Sequence, residues 1–298
     1  MYTLAKFVFS SSNDAIIISV ILKCFHKRGV FFMVKRFLAP KEIANAMVNV
    51  GVGKANLPVL SMFLLGILAG VFIGFGGLGN TIASQTFASI DPGVAKFIGA
   101  AVFPVGLMLV VICGAELFTG NNLMTLALAH EKITAGGMLK NWCVVWLGNL
   151  VGSLILVALL FYGNVLTDAA ATKAIGIAES KAGLDVMTMI IRGILCNVIV
   201  VLAVWMATGA QDIISKIFSC WFPIMLFVLC GFEHSVANMY FIPMGMALGA
   251  NITVGACATN LICVTIGNLI GGAIAIPVIY YTTYLAADKK AEKAEKAS

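Results

Sequence analysis

The chain has 298 residues, of which 61% are hydrophobic and only 11% are charged, and its formal net charge is +6. A typical soluble domain is about 45–50% apolar and about 25% charged, so this composition argues against a soluble enzyme, a disordered chain and a nucleic-acid-binding protein. The eight cysteines form no CxxC pair, and most lie within apolar segments. We therefore interpret them as small apolar residues that form neither disulfides nor a metal cluster.

The first 56 residues precede the apolar segments and differ in character along their length. Residues 1–33 hold one short apolar stretch, at 15–25, which Lys23 interrupts. It is too short to span a membrane, so residues 1–33 are predicted to be a dispensable N-terminal extension. In residues 34–56, Pro40 is followed by apolar residues at helical spacing, which predicts an amphipathic helix on the cytoplasmic surface of the membrane.

Residues 57–285 contain six apolar segments, and a spanning helix needs about 20 apolar residues. The segments are residues 57–84, 94–128, 138–163, 186–208, 213–248 and 256–285. The second and the fifth are too long for one simple crossing, and polar residues interrupt them near Glu116 and Glu233. The sequence therefore predicts an all-α membrane protein with six transmembrane helices, of which the second and the fifth are broken.

The positive residues predict the orientation of the chain in a bacterial inner membrane. All but four of the 19 Lys and Arg fall before the first span, in the loops after the second and fourth spans, or in the tail at 286–298. The other four are Lys96, Lys173, Lys181 and Arg192. Because cytoplasmic loops carry an excess of Lys and Arg, both termini are predicted to be cytoplasmic, and residues 286–298 form a charged cytoplasmic tail.

Short segments of the first three spans recur in the last three spans, in the same order. The pairs are residues 66–70 with 193–197, residues 114–121 with 231–238, and residues 141–152 with 260–271. Each copy holds three spans, and an odd number makes the second copy cross the membrane in the opposite direction. The sequence thus predicts two inverted three-helix repeats, whose paired broken helices mark a transport site near the midplane. A stripe of small residues (Gly66, Gly70 and Gly74) predicts close helix packing in the first span.

Three motifs follow one another along these spans. They are residues 111–120 (VICGAELFTG), residues 193–203 (GILCNVIVVLA) and residues 231–239 (GFEHSVANM). They resemble the signatures of the formate/nitrite transporter family, except that Val201 stands where the family usually has Cys. The resemblance extends over about residues 33–285 and implies an aquaporin-like protomer, a homopentamer in the lipid bilayer with one pore per protomer, and a small anion as the substrate.

His234 is the leading candidate for a pore residue. It lies at membrane depth at the break of the fifth span, and ionisable residues within a membrane are functional candidates by default. Its imidazole can donate a hydrogen bond to an anion and can exchange a proton near neutral pH. The neighbouring Glu233 is predicted either to lie in the pore or to anchor the backbone, whereas Glu116 is predicted to be structural.

The family resemblance implies roles for further residues. It makes Thr119 the partner of His234 across the pore, and it folds Lys181 toward the pore beside Asn197, where the lysine attracts anions. Asn260 matches a further polar pore residue. The predicted apolar constrictions are an outer one of Leu117, Phe232 and Val200 and an inner one of Phe103, Leu107 and Phe227. Because an apolar ring strips a hydrated ion of its water, it favours small, weakly hydrated or transiently neutral species.

The predicted function is a passive channel for small monovalent anions of weak acids. The segment Thr119–Asn122 and a short fifth loop favour hydrosulfide, with formate or nitrite as the other substrates. A proton-coupled symporter of the same anions, a membrane enzyme using Glu233 and His234 as acid and base, and a neutral-solute pore are the alternatives. No catalytic triad, P-loop or metal-ligand spacing occurs, and the GxGxxG at residues 74–79 follows no strand. No enzymatic activity, cofactor, metal or nucleic-acid partner is therefore predicted.

Overall fold

The computed structural model describes residues 37–297, so the predicted extension over residues 1–33 lies outside the described part of the chain. The described residues fold into helices joined by short connections. In chain order the helices are α1 (Pro40–Ala55), α2 (Val59–Ser84), α3 (Pro92–Gly114), α4 (Phe118–Asn121), α5 (Thr125–Ala129), α6 (Ala135–Tyr162), α7 (Asp168–Ala182), α8 (Val186–Gly209), α9 (Ile213–Leu229), α10 (Ser235–Ala247), α11 (Val254–Tyr284) and α12 (Ala286–Ala297). A 3₁₀ turn, Asn122–Met124, joins α4 to α5.

Five described helices, α2, α3, α6, α8 and α11, are long and apolar enough to cross a membrane. Helix α9 is apolar but has only 17 residues, and α10 continues its path after a break. Residues 37–297 therefore form six crossing segments. This confirms the predicted all-α membrane fold, in which the second segment (α3 to α5) and the fifth segment (α9 and α10) are broken.

A glycine with left-handed backbone marks each break. Gly114 has a φ of +86° and ends α3, and Gly231 has a φ of +70° and follows α9. This conformation costs a residue with a Cβ atom roughly 1–2 kcal/mol. The chain then runs extended through Leu117 (φ −106°, ψ 120°) and through His234 (φ −115°, ψ 115°). The two glycines thus explain why continuous apolar segments do not form continuous helices.

The two repeats pack in the same way. Helix α2 lies against α6, and α8 lies against α11, with glycines at both contacts. A Cβ atom on Gly152 of α6 would overlap the carbonyl oxygen of Ile67, and one on Gly271 of α11 would overlap that of Ile194. The predicted stripe of small residues on α2 belongs to the first of these contacts. Such small residues let helix backbones approach closely enough for van der Waals packing within a membrane.

Helix α1 is present where an amphipathic helix was predicted, but its apolar face does not lie on lipid. Four residues of this face are buried in a cluster with side chains of α5 and α8 and with Leu285, which follows α11. The four are Ile43, Ala44, Met47 and Val48. The face is covered because the protein itself offers an apolar surface there. Helix α1 therefore packs through its apolar face against the transmembrane helices.

Ion pairs hold α1, the loop after α5 and α12 on one face of the molecule. Lys41 pairs with Asp288 at 2.9 Å, and Lys289 pairs with Glu131 at 2.7 Å. The hydrogen bond with Glu131 raises the pKa of Lys289 above its usual value. We call this side, where Lys54 also lies, the Lys54 face, and the opposite side, which carries α7, the Lys181 face.

Candidate functional site

The side chains of Thr119 and His234 meet at the two helix breaks. Thr119 Oγ1 lies 2.8 Å from His234 Nε2, and both residues are buried. His234 also caps α10, because its Nδ1 accepts a hydrogen bond of 3.1 Å from the Ala237 amide. Because Nδ1 is the acceptor, the neutral imidazole carries its proton on Nε2. This N–H group donates a hydrogen bond to Thr119 Oγ1. The hydroxyl hydrogen of Thr119 then points to another acceptor, which an anion can supply.

A small cavity of about 10 Å³ adjoins His234. This volume holds roughly one water molecule. Its other lining residues are all apolar, namely Ile73, Phe103, Leu107, Leu117, Val200, Ile224 and Phe227. We call it the central chamber. An anion in it is surrounded by hydrocarbon on every side except that of the imidazole.

A larger cavity of about 440 Å³, which we call the vestibule, opens toward the Lys54 face. Its polar lining includes Lys54, Glu116, Asn121 and Thr208, whereas most of the remaining lining is apolar. Leu107 and Leu117 line both the vestibule and the central chamber. These two leucines therefore form the wall between the two cavities.

The predicted grouping of the constriction residues needs correction. The family resemblance places Leu107 and Leu117 in different constrictions, but the two leucines share one wall. The Phe103 and Phe227 rings meet edge to face at 5.7 Å on the other side of the central chamber. The reason is the chain direction, because α3 runs from the Lys181 face toward the Lys54 face. Phe103 consequently lies nearer the Lys181 face than Leu107 does.

Of the other two predicted constriction residues, only Val200 lines one of the cavities. Val200 lines the central chamber, whereas Phe232 lines neither of the two cavities. Phe232 lies in the second break, beside Glu233 on the Lys181 face. Its equivalent in the first repeat is Ala115, which lines the vestibule.

Glu116 and Glu233 each belong to a buried cluster of four polar residues. In the first, Glu116 accepts hydrogen bonds from Lys54 and from Asn121 Nδ2 (2.6 Å). Asn121 also donates to Asn141 Oδ1 (2.8 Å), and Asn141 Nδ2 donates to the Lys54 carbonyl (3.2 Å). We call this set the Lys54 tetrad.

The second cluster, the Lys181 tetrad, repeats this pattern. Lys181 Nζ lies 3.0 Å from both carboxylate oxygens of Glu233, and Asn238 Nδ2 donates to Glu233 at 2.7 Å. Asn238 also donates to Asn260 Oδ1 (2.8 Å), and Asn260 Nδ2 donates to the Lys181 carbonyl (2.9 Å). Each residue of this tetrad lies at the position that the repeat makes equivalent to its counterpart in the Lys54 tetrad.

The sequence alone predicts no role for Lys54 in the site, because there it is only one of the positive residues before the first span. One signal points to it, because the residues 54–59 (KANLPV) return as residues 181–186 (KAGLDV), 127 positions later. The repeat unit consequently includes α1 and α7, and each of these helices ends near the lysine of its tetrad.

The predicted pairing of Lys181 with Asn197 also needs correction. Lys181 is bound to Glu233, and its side chain is only 17% exposed. Asn197 instead donates to Asn122 Oδ1 at 2.7 Å, to the Asn268 carbonyl at 2.8 Å and to the Thr119 carbonyl at 3.3 Å. Asn197 therefore supports the backbone that carries Thr119. The carboxylate attracts the lysine more strongly than a neutral amide does, which explains the different pairing.

No group of three or more His, Cys, Asp or Glu that could hold a metal ion occurs among residues 37–297. The residues that meet at the breaks are hydroxyl, imidazole, amide, ammonium and carboxylate groups, combined with apolar walls. This arrangement can hold a small anion through hydrogen bonds and can share a proton with it.

The fold and the site define a multi-pass membrane protein of the channel or transporter class. The sequence profile described as formate/nitrite transporter matches residues 41–282, and the chain belongs to this family. This confirms the resemblance seen in the sequence motifs.

Individual relatives agree with this assignment. The uncharacterized transporter YrhG of Bacillus subtilis (strain 168) is 39% identical over 267 residues, which cover 88% of this chain and 99% of the relative. The formate channel FocA of Escherichia coli (strain K12) is 37% identical over 270 residues, covering 83% and 95% respectively. A solved pentameric formate channel with formate bound matches with a TM-score of 0.71 and 33% identity, over 76% of this chain and 98% of that chain.

Proposed function

We propose that the protein is a homopentameric channel that carries small monovalent anions of weak acids across a bacterial inner membrane. Both termini lie in the cytoplasm, and each protomer holds one pore. The relatives named as formate channels and the pentameric, formate-bound structural neighbour support this proposal. Formate is therefore the first substrate to test. Hydrosulfide, which the sequence favours, and nitrite are tested beside it, and the channel needs no cofactor and performs no enzymatic reaction.

The observation that carries the proposal is the Thr119–His234 hydrogen bond beside the central chamber. An anion that enters a chamber the size of one water molecule loses most of its hydration. A bare charge is costly in such surroundings unless hydrogen bonds compensate. The Thr119 hydroxyl, whose oxygen accepts a hydrogen bond from His234 Nε2, supplies a donor at this point.

The two lysines are expected to act at the entrances to the pore. Because each is paired with a glutamate, the attraction of an anion is weaker than a free lysine would provide. The side chains of Lys54 and Lys181 remain 22% and 17% exposed, respectively. An approaching anion can therefore contact the ammonium group without breaking its ion pair.

Proton-coupled symport by the same residues is the second candidate. It is favoured by the position of His234, whose imidazole borders the chamber that the anion crosses. A protonated anion that leaves as the neutral acid carries one proton with it. Symport therefore predicts uptake that follows the proton gradient, whereas a passive channel follows the gradient of the anion alone.

The test uses the purified full-length protein in proteoliposomes. Initial fluxes of formate, hydrosulfide and nitrite are compared under matched gradients, with and without an uncoupler, against liposomes that lack protein. Flux above the protein-free liposomes supports the proposal, and its collapse with the uncoupler favours symport. Swelling with glycerol but no anion flux would show a neutral-solute pore and refute the proposal.

A further inference from the structure

Two buried asparagines each contact one of the two helix breaks. Asn149 lies on α6 and Asn268 on α11, at equivalent positions of the two repeats, and neither is exposed. Neither belongs to the tetrads, and neither lines the central chamber or the vestibule. Their side chains nevertheless make the contacts that fix both breaks.

Asn149 bonds to both neighbours of Leu117. Its Nδ2 donates to the Glu116 carbonyl at 2.9 Å, and its Oδ1 accepts from the Phe118 amide at 3.0 Å. Nδ2 also donates to the Gly66 carbonyl on α2 at 2.8 Å. The side chain thus spans the peptide groups on either side of Leu117 and ties them to the α2–α6 contact.

Asn268 makes the same three contacts around His234. Its Nδ2 donates to the Glu233 carbonyl at 3.0 Å and to the Gly193 carbonyl on α8 at 2.8 Å. Its Oδ1 accepts from the Ser235 amide at 2.9 Å. The imidazole that meets Thr119 is therefore held between two peptide groups that one asparagine fixes.

We propose that Asn149 and Asn268 are positioning residues, each of which sets the direction of one pore side chain. Asn149 holds Leu117 in the wall between the chamber and the vestibule, and Asn268 holds His234 against Thr119. The part that concerns transport rests on the proposed channel function. The two asparagines therefore control different properties, namely size selection by Asn149 and pH dependence by Asn268.

The physical basis is the hydrogen bonding of unwound backbone at membrane depth. The peptide groups on either side of an extended residue lack the hydrogen bonds that a helix would provide. Water cannot replace these bonds, because the segments are buried. A buried carbonyl or amide without a partner is destabilising, so the chain turns until it finds one. Without the asparagine, the segment rotates and the central side chain leaves its place in the pore.

The transport test compares Asn268→Leu with Asn149→Leu. For Asn268→Leu, we expect the pH profile of anion flux to become that of His234→Asn, and the double variant to add no further change. For Asn149→Leu, we expect the parental pH profile with a raised ratio of butyrate to formate flux, matching that of Leu117→Ala. Asn268→Gln and Asn149→Gln keep the amide donor and acceptor but move them by one methylene, so they should give the same changes to a smaller extent if a leucine variant does not assemble.

Hydrogen exchange provides a readout that does not depend on transport. In the purified oligomer, the Ser235 amide should exchange about tenfold faster or more in Asn268→Leu, and the Phe118 amide likewise in Asn149→Leu. Ser153→Ala is the matched control, because Ser153 lies one turn from Asn149 and donates to the Gly70 carbonyl without touching a break. It should leave both amides and both flux properties unchanged.

Each outcome separates the two proposals. If the parent protein shows no anion flux but the leucine variants show faster exchange at the expected amides, the channel function is refuted and the positioning role of Asn149 and Asn268 is retained. Parental exchange at both amides would overturn the positioning role. An identical change of flux in both leucine variants would also overturn the positioning role, because that result indicates a general loss of packing.

Discussion

Leu117 and His234 occupy equivalent positions in the two repeats, 117 residues apart, and share the same extended backbone. Each follows a glutamate of a tetrad and precedes a half-helix. One is nevertheless a leucine in an apolar wall, and the other is an imidazole bonded to Thr119. The backbone at the two breaks is therefore symmetric, but the side chains are not. Among the residues that line the two cavities, the single histidine, His234, comes from the second repeat.

Replacing His234 with Asn should preserve assembly and change the pH dependence of anion flux. The reason is that an amide can donate a hydrogen bond to the anion but cannot exchange a proton with it. The measurement is initial formate flux from about pH 5 to pH 8, where histidine normally titrates. His130→Asn is the control, since His130 lies near Tyr281 on the Lys54 face. Superimposable profiles for parent and His234→Asn would eliminate a proton-exchanging role.

Much of the fold could be predicted from the sequence because it depends on local patterns. Apolar length defines the spans, and Glu116 and Glu233 interrupt two of them because carboxylates are costly in lipid. His234 can be predicted as a site residue because it adjoins such an interruption. The tetrads could not be predicted in this way, because Lys54 and Glu116 are 62 residues apart and meet only through tertiary packing. The grouping of the constrictions depends on depth in the membrane, which composition does not reveal.

The N-terminal extension gives a prediction outside the described residues. Deleting residues 1–32, so that the chain starts at Met33, should leave assembly and anion flux unchanged, because the apolar stretch at 15–25 is interrupted by Lys23 and is too short to span a membrane. Size-exclusion chromatography and proteoliposome flux measure both properties. Loss of the native oligomer in the shortened protein would show that the extension is structural.

The shared wall of Leu107 and Leu117 predicts how size selection responds to substitution. Leu117→Ala should raise the flux of butyrate relative to formate, because it opens the passage from the vestibule to the central chamber. Loss of a buried leucine also costs about 2–5 kcal/mol of stability, so the oligomer is checked before flux is measured. Leu107→Ala should have the same effect, and opposite effects of the two variants would contradict a common wall.

The contact between Lys289 and Glu131 predicts a pH dependence outside the membrane. The hydrogen bond raises the pKa of Lys289 in the folded chain, so its stabilising effect is complete below the ordinary lysine pKa. The effect is lost as the pH rises through the raised value. Docking of α12 should therefore persist between about pH 5 and pH 8. In Lys289→Gln, amide exchange over residues 286–291 should become faster at pH 7, with Lys290→Gln as the matched control.

The ion pair between Lys181 and Glu233 predicts both a stability effect and a transport effect. Lys181→Met leaves a buried carboxylate without its partner, which costs about 3–5 kcal/mol, and Glu233→Gln in the same chain should restore most of the lost thermal stability. In the restored double variant, the missing charge should still lower anion uptake from the Lys181 face, most strongly at low salt, since screening acts over about 10 Å at 0.1 M. Initial flux across a salt series in oriented vesicles measures this effect. Coincident curves for parent and double variant at low salt would mean that Lys181 stabilises the second break without attracting anions.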